Sequence, residues 1–409
     1  MNIEKLNSFL NFGFFLDYGK TKFEIKLDGI NKKLYEGVSE LELVEHGGKL
    51  FDLSVSKSFN SNAKNLVPIS GGLDSRAVLA SLLKHTSASN ISTFTFGSPN
   101  SLDFEIGKSI SKKFGTKHYA LPTKDNKYCQ KEFEKISELN NNQTFLFHHG
   151  PVIDLKDIFG GYDYWSGYLG DAVTGGHLSP KPGSQSEAKD YFINRNKFVK
   201  STNLMSDKNQ DFHKLLDIDF IDEEILSLEE QLDYKFRQSM LIEPHVLMDG
   251  FNYKVPFLEK EFMDFFHSMN NVYRNNQKVY KKMLLNNYPE AFSLPTTASF
   301  GRPLADNKYK ILLWRSQLKA RRILSRKFGF IQNPQVNYTD FDNMIRVKND
   351  FRTLIFNNIM DFNARDITPW INIESLWLEQ KKYKKNHADA LMVLASLELH
   401  LKNDPNLLA

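Results

Sequence analysis

The sequence predicts an α/β fold, a doubly wound parallel sheet with a helical C-terminal half. Three observations predict it. From about residue 59 to 180, strand and helix patterns alternate, the order that covers both faces of a parallel sheet with helices. Within that stretch Leu66–Ile69 reads as a buried strand, Ser70-Gly71-Gly72-Leu73-Asp74-Ser75 breaks it, and Ala77–Leu79 resumes as a helix face. Beyond about residue 230 the patterns are helical to the end.

The bulk numbers set the frame. A chain of 409 residues can hold one large α/β domain plus a smaller piece. A net charge of +4 is small for this length and makes no case for nucleic acid. No apolar run reaches the roughly 18 residues of a membrane span. Met1-Asn2-Ile3-Glu4-Lys5 has no export-signal layout, so the chain reads as cytoplasmic. Cys129 is the only cysteine, which excludes an internal disulfide and any multi-cysteine metal site.

Taken in order, residues 1–58 are expected to form a small β segment. Lys22–Leu27 alternates polar and apolar residues, and Gly47-Gly48 reads as a turn. The division expected is therefore 1–58 and 59–409.

The Ser70–Ser75 string is the most informative in the chain. Glycines at a strand-to-helix turn let backbone N–H groups approach an anion, and the new helix adds its positive end. Ser70 and Ser75 can donate to phosphate oxygens, while Asp74 cannot and needs a metal to sit there. Gly-Gly alone would equally be an ordinary turn; the whole string after a strand points to phosphate. The Gly-Lys-Ser/Thr ending of the common P-loop is absent.

A second strand, Ile91–Phe96, leads through Gly97-Ser98-Pro99 into a helix with Asp103 and Glu105 in its first turn. Tyr164-Trp165 then precedes Ser166-Gly167-Tyr168-Leu169-Gly170-Asp171-Ala172, a Gly-flanked acid fit to enter the same cleft. Two loop aspartates converging from strand ends suit a Mg²⁺ held by few carboxylates and by phosphate oxygens. Residues 181 to about 230 are polar and carry no chemistry. A helix from about Leu232 holds Arg237 and Glu243 and should end or kink at Pro244. Val255-Pro256-Phe257-Leu258-Glu259, a lysine-bearing helix with Lys278, and Thr297…Phe300-Gly301-Arg302 complete the informative strings. The basic stretch 308–327, with Trp314, Arg315, Lys319, Arg321, Arg322 and Arg326, reads as a solvated amphipathic helix.

Together these strings resemble the ATP pyrophosphatase synthetases that form acyl-adenylates, and among them the asparagine synthetase and β-lactam synthetase branch. The resemblance covers about residues 60–400. It implies an adenine nucleotide alpha hydrolase-like domain with five parallel strands, using ATP and Mg²⁺. Ser70, Gly71, Gly72, Leu73, Asp74 and Ser75 would cradle pyrophosphate. Ile69, Phe96, Gly167 and Tyr168 would flank the nucleotide, and Asp74 with Asp171 would hold the metal. Lys278 would face pyrophosphate, and Tyr168 with Glu243 would form a dyad that deprotonates the nucleophile.

The sequence departs from that family in four places. Asn2 stands where glutamine-dependent asparagine synthetases carry a cysteine, so residues 1–58 read as a vestige of a missing glutaminase domain. Tyr168 and Ala172 replace two glutamates, a pattern similar to β-lactam and carbapenam synthetases. Asn252 and Lys254 replace residues that shape the acceptor pocket. Thr297 takes the place of a catalytic lysine, for which Arg302 could substitute.

The implied reaction is ATP-dependent amide formation. A small-molecule or sugar carboxylate is adenylated, and ammonia, from solution or a partner glutaminase, or an amine attacks it. A true asparagine synthetase using ammonia and a catalytically inactive binding or regulatory homologue are the alternatives.

Overall fold

The computed structural model describes the chain except residues 18, 149–150, 179–182, 207–210, 329–339 and 383, and describes only the backbone of 124, 308 and 321–328. Its first surprise is the N-terminal segment. Residues 1–58 contain two helices, α1 (Ile3–Phe12) and α2 (Glu40–Ser58), and no strand among the described residues. The expected β segment is therefore a misreading. Lys22–Leu27 alternates, but it has no strand to pair with and stays irregular. Ser39 and Glu42 form a reciprocal capping box that starts α2, and the helix runs straight through Gly47-Gly48. Those glycines are there for contact. A Cβ on Gly48 would fall 1.6 Å from the Asn287 side chain, and one on Gly47 would fall 2.8 Å from Phe265.

The sheet is as expected. Five parallel strands, β1 (Asn65–Pro68), β2 (Ile91–Gly97), β3 (Lys117–Pro122), β4 (Asp163–Trp165) and β5 (Asn252–Lys254), lie in the order β3-β2-β1-β4-β5. Central β1 is covered on both faces, so Leu66 and Val67 are fully buried, as a parallel sheet requires. Its one polar inward residue, Asn65, is satisfied by Trp165 Nε1 at 2.8 Å. Helices α3 (Asp74–Leu82) and α4 (Leu102–Phe114) follow β1 and β2.

One hydrophobic core joins α2, β1 and α3 to the helices at 260–268 and 278–287. A second joins α1 to the C-terminal helices Asn349–Ala364 and Ala388–Asn403. The basic segment is helical over Lys308–Phe328, with Trp314 bonded to Phe300 O at 2.7 Å; the side chains of Arg321, Arg322 and Arg326 lie outside the described residues. No helix among the described residues is long and apolar enough to cross a membrane.

Candidate active site

The strand order reverses between β1 and β4: the chain runs outward from β1 to β3, then returns to β4 on the other side. In an open α/β sheet, the crevice at the carboxyl ends of such a pair is where ligands bind. Both predicted loops end there. The first leaves β1 with Ile69 N–H on Phe94 O at 2.8 Å and Ile69 O accepting from Thr95 Oγ1 at 2.6 Å, which fixes its start against β2. Ser70 Oγ accepts from Gly72 N–H at 3.2 Å and lies 3.4 Å from Ser75 Oγ, so the two hydroxyls stand together at the start of α3. Gly71 departs from expectation. Its N–H is occupied by Asp103 Oδ1 at 3.0 Å, and a Cβ there would lie 2.5 Å from Thr297 Cγ2. It packs beneath Thr297 rather than lining the crevice.

The second loop is pressed onto the first. A Cβ on Gly170 would lie 2.3 Å from Asp74 Cγ, and one on Gly167 would lie 3.1 Å from the Ser75 nitrogen. Only glycine permits this approach. Leu169 adopts φ 69° between them, in the left-handed region, and so turns the chain sharply into Asp171. Asp74 and Asp171 are thereby brought together. Burial and the neighbouring Asp171 charge push the Asp74 carboxyl well above the usual carboxylate range, while the Tyr280 hydroxyl and the Asp171 N–H pull it back. Tyr280 donates to Asp74 Oδ1 at 2.8 Å, and Gln277 Nε2 donates to Asp171 Oδ1 at 3.1 Å. Both come from the N-terminal end of one helix, Lys278–Asn287, and the residue before it.

These loops line a cavity of about 770 Å³. Ile69, Ser70, Gly72, Leu73, Asp74 and Ser75 border it from the first loop, and Gly167, Tyr168 and Asp171 from the second. Phe96 borders it from the end of β2. Residues 47–145, which carry β1, the first loop, α3, β2, α4 and β3, match the family model described as Asparagine synthase. Over that stretch the chain is similar to asparagine synthases. The asparagine synthase match includes Ser70–Ser75 and ends before Gly167–Asp171, so the second loop rests on geometry alone.

The remaining expected residues of the site are placed less simply. Tyr168 is buried in the cavity wall, but its hydroxyl donates to Gln238 O at 2.9 Å. Burial, together with the Glu243 charge, pushes the phenol far up. Glu243 is near enough to be felt but does not bond Tyr168. Its Oε1 takes the Lys22 N–H, and it does not line the cavity. Burial raises the Glu243 carboxyl, against the Lys22 and Phe23 N–H groups.

Lys278 and Arg302 are drawn away by acids. Lys278 Nζ lies 2.5 Å from Glu40 on α2, and Arg302 is held by Asp306 at 2.6 Å; neither borders the cavity. Thr297 does border it, directly over Gly71. The lysine coupled to Asp171 is Lys281, whose ammonium is pushed down by burial and back up by that aspartate.

Four cavity or near-cavity residues had no role in the site assigned from the sequence: His177, Asp233, Arg237 and Gln238. Asp233–Ile242 is a π-helix, a form concentrated at functional sites. Buried Asp233 takes the His177 Nδ1 at 2.9 Å and the Gln238 Nε2 at 2.8 Å, with Arg237 3.8 Å away. Burial disfavours its charge, yet these bonds and the His177 and Arg237 charges hold its carboxyl below the usual range. His177, Arg237 and Gln238 all face the cavity. The one sequence signal was Asp-x-x-x-Arg-Gln just ahead of a proline-broken helix.

Proposed function

We propose that this chain is an ATP-dependent amide-forming ligase. A carboxylate oxygen attacks the α-phosphorus of ATP, giving an acyl-adenylate and pyrophosphate; ammonia or an amine then attacks the acyl carbon and releases AMP. The observation that carries this reading is the convergence of Ser70–Ser75 and Gly167–Asp171 on one cavity at the sheet's reversal point, the first of the two loops lying within the stretch that matches asparagine synthase.

In this reading the Ser70 and Ser75 hydroxyls and the N-terminal end of α3 receive pyrophosphate. Ile69, Phe96 and Gly167 flank the adenine end. Asp74 and Asp171 are the residues that would hold Mg²⁺, and their fit is supported by the like charge that lifts the Asp74 carboxyl. No cluster of three or more His, Cys, Asp or Glu exists among the described residues, so phosphate and water oxygens would complete the coordination. Bound there, the ion would neutralise phosphate charge.

The test is exchange of labelled pyrophosphate into ATP across a panel of aspartate, glutamate, glucuronate and peptide carboxylates. Exchange with any of them, abolished in Asp74→Ala, supports the reading. ATP binding without exchange favours the second reading, an inactive binding homologue, for which Thr297 and the diverted Lys278 and Arg302 speak.

A further inference from the structure

We infer that His177, held by Asp233, is the general base that takes the proton from the attacking amine in the amide-forming step. The inference rests on the proposed ligase reading and assigns the proton transfer within it.

The site has three parts. Asp233 is 5 % exposed and binds Nδ1 of His177, which fixes the tautomer that leaves Nε2 as the acceptor. Among the described residues no hydrogen bond to Nε2 is formed, and the ring borders the cavity. The cavity also holds Tyr168, whose hydroxyl is already donated to a carbonyl, and Glu243 stands outside it with Oε1 on the Lys22 N–H. The expected dyad is thus engaged elsewhere, while an aspartate-backed imidazole faces the same space.

Charge supports the assignment. Asp233 bonds His177 Nδ1 directly at 2.9 Å and lies farther from Arg237, at 3.8 Å, so an imidazolium formed during the step meets the nearer side of a carboxylate charge that it shares with the guanidinium. Gln238 Nε2 holds the same carboxylate oxygen, and Arg195 donates to the His177 carbonyl at 3.3 Å, which anchors the backbone beneath the ring. In the step, the amine nitrogen bonds to the acyl carbon and the C–O bond to AMP breaks. The amine proton passes to His177 Nε2 and from there to solvent. Asp233 is a positioning residue.

The test uses the full chain and His177→Gln, with ammonium chloride or hydroxylamine as nucleophile and the same carboxylate panel. Amide formation from ammonium should fall roughly 100-fold or more, the span of a general base, with pyrophosphate exchange falling far less. Hydroxylamine, whose hydroxyl makes the N–H of its adduct more acidic and so less dependent on a base, should recover most of the lost rate as hydroxamate. A strongly downfield imidazole N–H proton resonance should be present in the wild type and absent from His177→Gln. Amide formation that falls no further than exchange overturns the inference alone, as does a wild type lacking that resonance. Absence of exchange with every carboxylate overturns the ligase reading and this step with it.

Discussion

Tyr280 donates its hydroxyl to Asp74 Oδ1 at 2.8 Å, and both side chains belong to helices that begin at the cavity edge. The bond ties the first turn of α3 to the Lys278–Asn287 helix. Tyr280→Phe keeps the ring's packing and removes only the donor, leaving a buried carboxylate oxygen unsatisfied. The expected loss is about 1–3 kcal/mol of stability, read by urea denaturation, with weaker ATP binding by calorimetry. Stability and binding both at wild-type values would show that the tie carries nothing.

Gly170→Ala tests the close approach of the two loops. Its new Cβ would meet Asp74 Cγ at 2.3 Å, and Asp74 cannot retreat because Tyr280 holds it. One loop must lift, at a cost of about 1–3 kcal/mol as for other overpacked sites. ATP affinity should fall with it, whereas an alanine at Gly161, which meets no atom within 4 Å, should change neither.

Asp171→Asn tests the acid pair through pH. A carboxyl raised above its ordinary 3.8 favours the folded state only while protonated, so that contribution fades as pH rises through the folded-state value. Above its ordinary value the ionised Asp74 therefore disadvantages the folded wild type increasingly as pH rises. Removing the Asp171 charge should raise the melting temperature at pH 7, and the gain should shrink toward zero on acidification below about 4, where Asp74 is protonated in both states. A gain independent of pH would disprove the coupling.

Lysine variants separate the sequence expectation from the geometry. Lys278 is bonded to Glu40 on an exposed face, where a pair contributes at most about 1 kcal/mol. Lys278→Ala should leave pyrophosphate exchange close to wild type. Lys281→Ala removes the half-buried cation that Asp171 feels and should weaken exchange by roughly tenfold, about 1.4 kcal/mol. The reverse order would restore Lys278 to the site.

What the sequence revealed was chiefly local. β1, the Ser70–Ser75 turn and α3 are contiguous, so apolar runs and glycines announce them, and β2 was read to within one residue of Ile91–Gly97. The Gly167–Asp171 loop was legible for the same reason. The N-terminal segment was misread because Gly47-Gly48 signals a turn when its role, contact with Phe265 and Asn287, depends on residues more than 200 positions away. That Lys278 and Arg302 stand away from the cavity was not legible, because Glu40 and Asp306 compete for them, one across the fold and one four residues on. The His177–Asp233 pair spans 56 positions and joins a polar segment to a π-helix, neither of which has a periodicity that predicts the other.

The glycine face of α2 has a bearing on where this protein can be cut. Gly47 and Gly48 let α2 settle directly against the Lys278–Asn287 helix, whose leading end carries the two side chains that steady Asp74 and Asp171. A fragment starting at residue 59 would keep every loop that borders the cavity and yet expose Met283 and the flank of that helix to water. The first 58 residues behave as a foundation for the site, and shortened versions made for crystallography or engineering should begin ahead of Ser39.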